Sequence, residues 1–321
     1  MTPKIITITS ENQGERLDKF LVVAWPDLSR SKIQQAIKDG TVLVNGERPS
    51  VHCFLKEKDL ITFIEKKEAD AKPGATPVKK SQYGGRKLFK EIKIIADEPN
   101  FLIIEKPAGL LVHPTERNET DTLIDWLLEK YPALRKIGEN PQRPALVHRL
   151  DKEVSGLMLI PKTQDAFDYF KSQFKEHTIT KKYITLVEGE VNKDEGEIDL
   201  PIGRSNTKEG LFAAKPHSQK SDKDKKAITR YKITQRFKNY TLLEVEILTG
   251  RTHQIRVHML AFGCPVVGDG LYIKKPSKKT PGRIFLHATK LIFKDLDGTE
   301  KEFESPLPAN LGEFLKGLKK A

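Results

Sequence analysis

HRLDKEVSGLMLIPKT, residues 148–163, crowds His148, Arg149, Asp151, Lys152 and Glu153 ahead of Ser155-Gly156 and the apolar run Leu157 to Ile160. A short apolar run bounded by polar and glycine signals reads as a buried strand, and TQDAFDYFKSQFKEH (163–177), with apolar residues at three-and-four spacing, reads as the helix that follows. Asp151 then stands in a loop at the mouth of a core strand. An aspartate in such a loop is most often salt-bridged or capping a turn, so it needs company before it reads as chemistry.

The company lies downstream. KKYITL begins at Lys181, and GRTHQIRVH (250–258) carries two arginines and two histidines. Around them run the strand-like segments IKIIA, FLIIEK, YITLVEG, ITRYKITQRF, TLLEVEIL and the pair FLHATKLIF/EKEFES about Asp297-Gly298. Helical spacing marks DTLIDWLLEKY, RTHQIRVHMLAF and NLGEFLKGLKK, whose Trp126 and Leu315, like Phe167, Phe170 and Phe174, read as core. The pattern predicts an α+β catalytic domain on a mixed, largely antiparallel sheet over 88–321. Lysine-rich stretches from Ser221 and Lys274 read as surface loops.

Ahead of it, 1–64 reads as a small α/β domain. A strand-like start is followed by the helices ERLDKFLVVAW and SRSKIQQAIKDG, then by TVLVNGERP with an Asn45-Gly46 turn and by FLKEKDLITFI. Arg16, Lys19, Arg30, Lys32 and Lys38 charge its polar faces. Residues 65–87, rich in lysine, proline and glycine without apolar period, read as a basic flexible linker.

Composition narrows the function. Lysine and arginine exceed aspartate and glutamate by 56 − 44 = 12 over 321 residues, favouring a polyanionic partner. The two cysteines, Cys53 and Cys264, form no CxxC or Cys-His spacing, so a reducing, cytoplasmic setting is expected, with neither disulfide framework nor zinc. His253 and His258 are five apart, about 140° on a helix, and lack a carboxylate partner nearby, so no metal is expected there. Arg251 and Arg256 diverge in the same way. No signal peptide or membrane-spanning run is expected, and the phosphate-loop, dinucleotide and GxSxG fingerprints are missing.

Two resemblances sharpen this reading. ERLDKFL, LSRSKIQQAIKDGTVLVNG and KEKDLITF resemble the S-four-type RNA-binding module, which implies that Arg30, Ser31 and Lys32 face RNA, mainly its phosphates. NFLIIEKPAGLLVHPT, HRLDKEVSGLMLIPKT, KKYITLVEGEV and GRTHQIRVHMLAFGCPVVGDGLY, in this order, resemble the RluA-type pseudouridine synthases. LLEKYPALRKIGENPQRPALVHRLD favours the RluD-like branch, which acts on large-subunit ribosomal RNA.

The resemblance implies that Asp151 is the catalytic aspartate, that Tyr183 stacks on the target uracil and moves a proton, and that Arg256 pairs with Asp151. Arg149 would displace the target base, and His148, Leu157 and Arg251 would join it as substrate-binding residues. Val154 stands where the family often has threonine, which removes a hydroxyl beside the loop.

Converting uridine to pseudouridine moves the sugar's bond from a ring nitrogen to a ring carbon, so atoms and electrons balance without a redox or nucleotide cofactor. It does call for an ionised carboxylate, to attack the sugar or take a sugar proton, and for a base to remove the proton from the fifth carbon. The implied protein is a monomeric, cofactor-independent isomerase of uridines in large-subunit RNA. A transfer-RNA synthase, or a non-catalytic RNA-binding assembly factor, are the alternatives. Asp151, Tyr183 and Arg256 together favour the enzyme, because binding alone has no chemical need for all three.

Overall fold

The structure, a computed structural model, describes residues 4–25, 33–34, 36–37, 39–50, 53–63, 85–115, 119–206, 210–273 and 280–320. The chain divides into two compact units, Met1–Val78 and Lys79–Ala321. Arg30, Ser31, Lys32 and Lys38, and 65–84 of the expected linker, lie outside the described residues.

In the first unit, β1 (Lys4–Thr7), β3 (Leu60–Phe63) and β2 (Val42–Val44) form an antiparallel sheet in that order. Helix α1 (Leu17–Ala24) buries Leu17 and Leu21 with Ile33, Ile37, Val42 and Ile61. Asn45-Gly46 turns the chain after β2, both with positive φ, as a tight hairpin turn requires. Arg16 is not a free surface charge: its Nε and Nη2 each donate to the buried Asp18 carboxylate at 3.0 Å. Gln34 donates to the same carboxylate.

The second unit is built on a sheet of order β4-β5-β6-β13-β7-β12-β11-β8. Its strands are β4 (Lys93–Asp97), β5 (Phe101–Lys106), β6 (Ser155–Pro161), β7 (Thr180–Glu188), β8 (Glu195–Asp199), β11 (Ile228–Phe237), β12 (Tyr240–Ile247) and β13 (Leu286–Lys294). Every pairing is antiparallel except β6 with β13, so the fold is mixed α+β on a largely antiparallel sheet. The parallel contact is short, joining His287 to Ser155 and Ala288 to Gly156. Beyond it the same edge of β13 takes β14 (Glu300–Glu304) instead. Gly156 permits the approach: φ is +125°, and a Cβ there would fall 2.2 Å from the Ala288 carbonyl oxygen.

Helices cover the sheet: α2 (Leu123–Lys130) closed by a Thr122–Asp125 capping box, α3 (Gln164–Glu176) capped by Thr163, α4 (Gln254–Ala261) and α5 (Ala309–Lys316). The strand β8 and the hairpin β9 (Ile202–Arg204) with β10 (Phe212–Ala214) were not marked by apolar alternation. β8 and β9 carry glycine or charge at six of their eight positions, and β10 is three residues long, so little of the period survives.

Candidate active site

The residues around Asp151 come from five places: the loop before β6, the middle of β7, the end of β12, the turn into and start of α4, and the start of β13. Arg149, Leu150, Asp151, Val154, Tyr183, Ile247, Arg251, His253, Ile255, Arg256 and Leu286 line a narrow cavity of about 90 Å³. Its walls are shared about evenly between polar side chains and apolar or aromatic ones, and Arg256 and His253 converge on Asp151, whose side chain keeps 18% exposure. Arg256 Nη1 donates to Asp151 Oδ2 at 3.3 Å. His253 Nε2 lies 3.8 Å from the same oxygen.

Arg256 has a second, tighter partner. Its Nε and Nη2 donate to the two oxygens of Asp269 at 2.8 and 2.7 Å, a bidentate pair in which both side chains are buried. The guanidinium is therefore fixed by Asp269 and presented to Asp151. Burial works against its charge, but the hydrogen bonds and charge of Asp269, then those of Asp151, outweigh burial and leave its pKa above the ordinary value. Asp269 was missed in the sequence reading. It lies thirteen residues from Arg256, and its only signal is an acid set between Gly268 and Gly270. Tyr272 was missed as well: its hydroxyl lies 2.7 Å from His253 Nδ1, and its ring sits under the Arg256 guanidinium at 5.1 Å. Burial holds the His253 pKa below the usual histidine value despite the pull of Asp151.

Tyr183 is buried on β7, its neighbours in register being Val245 and Ala288. Burial first, and the Asp151 charge second, push its phenol pKa well above the ordinary value. At neutral pH it offers an aromatic face and a protonated hydroxyl, not a phenolate.

Other expected site residues fall out differently. Arg149 is exposed, lines the cavity and donates from Nη1 toward His113 Nε2 at 3.4 Å. Arg251 lines it too, with Nε donating to the Lys226 carbonyl. Helix α4 begins only at Gln254, after His253 in a left-handed conformation, so helical spacing does not explain why Arg251 and Arg256 diverge. Gln254 sets the start of α4 by accepting from Arg251 N and donating to the Ile228 carbonyl.

Leu157 does not reach the site, and His148 lines only the wider cavity beside it. The His148 ring stacks on Phe174 at 4.6 Å, and its Nε2 accepts from Leu159 N, so it pins the loop to β6. Burial pulls its pKa down to about 3, which keeps it neutral. Leu157 is fully buried against Phe101, Ala166 and Phe170 beneath α3. The strand period of two puts Met158, not Leu157, in the cluster that contains Tyr183.

Two devices hold the loop. Lys106, wholly buried, donates from Nζ to the carbonyls of Pro107, Leu110 and Lys152 at 2.8, 2.8 and 3.1 Å, tying the EKPAG turn to the residue after Asp151. Burial draws its pKa down to about 7, yet three carbonyl acceptors match the three donors of an ammonium. On the other flank, Arg283 Nη2 donates to Ser155 Oγ, which lies 2.8 Å from His287 Nδ1. His287 Nε2 lies 3.1 Å from Ser305 Oγ, and Ser305 donates to Glu105 at 2.6 Å.

Among the described residues no cluster of three or more histidine, cysteine or acidic side chains could hold a metal. His258 is occupied by Thr229 and the Leu200 carbonyl, away from His253. No helix among them is long and apolar enough to cross a membrane.

Comparison with known proteins fits this geometry. A family described as RNA pseudouridylate synthase matches residues 100–261, and the S4 domain matches 15–50. The chain is 34% identical to an uncharacterized RNA pseudouridine synthase of Bacillus subtilis over 98% of both chains. It is 32% identical to ribosomal large subunit pseudouridine synthase D of Escherichia coli, over 98% of this chain and 94% of the other. The solved structure of human RNA pseudouridylate synthase domain containing 4 superposes with a TM-score of 0.57 at 26% identity, covering 73% of this chain and 96% of that one.

Proposed function

Since the chain belongs to the RNA pseudouridylate synthase family, whose members are isomerases, we propose that it acts on uridines of large-subunit ribosomal RNA, with Asp151 as the carboxylate that meets the sugar. The observation that carries the site assignment is the convergence of Asp151, Arg256 and the Tyr183 ring on one narrow cavity. The cavity suits a planar base turned out of its stack, an act that costs about a few kcal/mol and is offset by stacking and pocket contacts.

In this reading Tyr183 supplies the stacking face, and Arg256 keeps Asp151 oriented. Arg149, exposed at the rim, is placed to fill the space the base leaves. Asp151 either attacks the sugar carbon or takes a sugar proton; in both routes the base turns and rejoins through its fifth carbon, whose proton leaves to solvent. The ribosomal target is supported by the similarity to the Escherichia coli large-subunit enzyme and by the S4 domain, where Arg30, Ser31 and Lys32 would hold RNA phosphates.

The test is pseudouridine mapping of ribosomal and transfer RNA from cells lacking the gene, complemented by wild type or by Asp151→Asn. Large-subunit sites lost in the deletion and restored by wild type alone are the expected result. Sites lost in transfer RNA would move the substrate, and rescue by Asp151→Asn would remove the aspartate from the chemistry.

A further inference from the structure

Beside the narrow cavity lies a wider one of about 520 Å³, sharing Arg149, Tyr183, Ile247, Gly250 and Arg251 with it. We propose that this second cavity receives a backbone phosphate of the RNA strand next to the target uridine, with Lys181 as its central ligand and Arg149 and Arg251 at its rim. The proposal rests on the reading of the narrow cavity as the uridine site.

Lys181 is buried, 5% exposed, on β7. It stands two residues before Tyr183, so both side chains leave the same face of the strand, with their Cα atoms roughly 7 Å apart. Its ammonium lies over the Phe174 ring at 5.5 Å, and among the described residues no hydrogen bond or ion pair holds it. The described lining of the cavity adds Arg143 and Lys175 and contains no carboxylate. The neighbouring acids serve the other face of β7: Glu244 takes Lys182 at 2.9 Å, and Glu246 stands opposite Lys182 in the sheet.

Burying a cation without a counterion is costly, and the protein avoids that cost elsewhere. Arg256 has two carboxylates, Lys106 has three carbonyls, and Lys215 has Asp224 at 2.9 Å. Burial duly lowers the Lys181 pKa, to about 8, with Glu246 pulling weakly the other way. At neutral pH the group stays mostly charged, facing a roomy basic cavity. An anion that arrives with the substrate supplies what the fold leaves out. A base against Tyr183 places the adjoining sugar-phosphate on the Lys181 side, because the two side chains share one face of one strand.

The test uses the full chain and a stem-loop containing a uridine that the wild type converts. Binding is measured across a salt series for wild type and for Lys181→Met, whose unbranched side chain keeps the cover over Phe174. We expect Lys181→Met to bind about tenfold more weakly, since it loses one charge-assisted contact. Its log–log salt slope should be shallower by about 0.7, the value for one phosphate on a single strand. The loss should fall on affinity more than on the rate at saturating RNA, and the thermal midpoint should hold or rise. A single methylphosphonate beside the target uridine should weaken wild type and leave Lys181→Met nearly unaffected.

An unchanged salt slope with equal methylphosphonate penalties in both proteins would overturn the proposal. So would a fall in the saturated rate at unchanged affinity, which would make Lys181 a proton acceptor, or a lowered midpoint, which would make it structural. A stem-loop that binds but is never converted by wild type would instead count against the assigned function, and the binding arm would still decide on Lys181.

Discussion

Arg256 and Lys181 are both buried cations close to Tyr183, and the fold treats them in opposite ways. Arg256 is clamped by Asp269 and shown to Asp151; Lys181 has an aromatic ring behind it and open space in front. A cation with built-in counterions is preorganised, so it holds a catalytic group at no further cost during reaction. A cation without one is unfinished until substrate arrives. In the proposed reading, the contrast separates a part of the site that does chemistry from a part that takes hold.

The largest effect should come from the carboxylate that Arg256 presents. Asp151→Asn should cut tritium release from RNA carrying 5-tritiated uridine by at least about 10⁴-fold, as loss of a central catalytic group does, while RNA affinity stays near wild type. A residual rate within tenfold of wild type would leave Arg256 presenting nothing essential. Next comes Asp269→Asn, which takes the bidentate carboxylate from a buried guanidinium and leaves it only the longer contact with Asp151; it should cost about 3–5 kcal/mol in denaturant unfolding. A loss below about 1 kcal/mol would mean that Arg256 does not depend on its clamp, and the contrast with Lys181 would fail.

Acid should expose a third way of handling burial, in which the group stays neutral. His148 is held down to about 3, and His113 and His287 to about 4, each mainly by burial. The unfolded chain binds these protons below about pH 6.5, and the native state does not. Between about pH 6.5 and 4 the unfolded state therefore binds more protons, and stability falls as pH falls. Each histidine contributes a slope of up to about 1.4 kcal/mol per pH unit. Replacing His148 by Gln should remove one such contribution from unfolding curves taken across that window, and an unchanged slope would contradict its neutral burial. The smallest effect is a gain: Lys181→Met should stabilise the chain by about 1–2 kcal/mol, because the charge it removes has no partner.

Where the apolar period is long, the sequence is easy to read. Gln164–Glu176 and Ile228–Phe237 are a helix and a strand at the places their spacing marks. The start of α4 is less legible, since Gln254 sets it through bonds to Thr249, Arg251 and Ile228, which only the folded chain brings together. The same limit shows in the site. A motif places His148 and Leu157 beside Asp151 along the chain, but the period of β6 turns Leu157 to the other side of the sheet, and His148, stacked on Phe174, lines only the wider cavity.

Asp269 shows the converse, a residue remote in sequence that the fold makes the nearest partner of Arg256. A local clue exists in the Gly268 beside it. Gly268 has φ +75°, and a Cβ there would fall 2.1 Å from the Arg283 carbonyl oxygen. The turn is pressed against the loop that also sends Arg283 to Ser155. Lys106 and Lys181 are harder still, for nothing local distinguishes a lysine buried on carbonyls, or at the wall of a cavity, from one in water.

The chain of polar groups from Arg283 to Glu105 acts as a register lock for the site. Arg283 can only donate to Ser155, and Glu105 accepts from Ser305, so the protons between them have one consistent order. Ser155 donates to Nδ1 of His287, and the imidazole carries its proton on Nε2, toward Ser305. Sliding β6 by one residue against β13 would replace Ser155 with Val154 or Gly156 and break the chain in its middle. The short parallel contact could not by itself enforce that alignment. Asp151, four residues upstream, is held on this flank by a wire that can be threaded in only one direction.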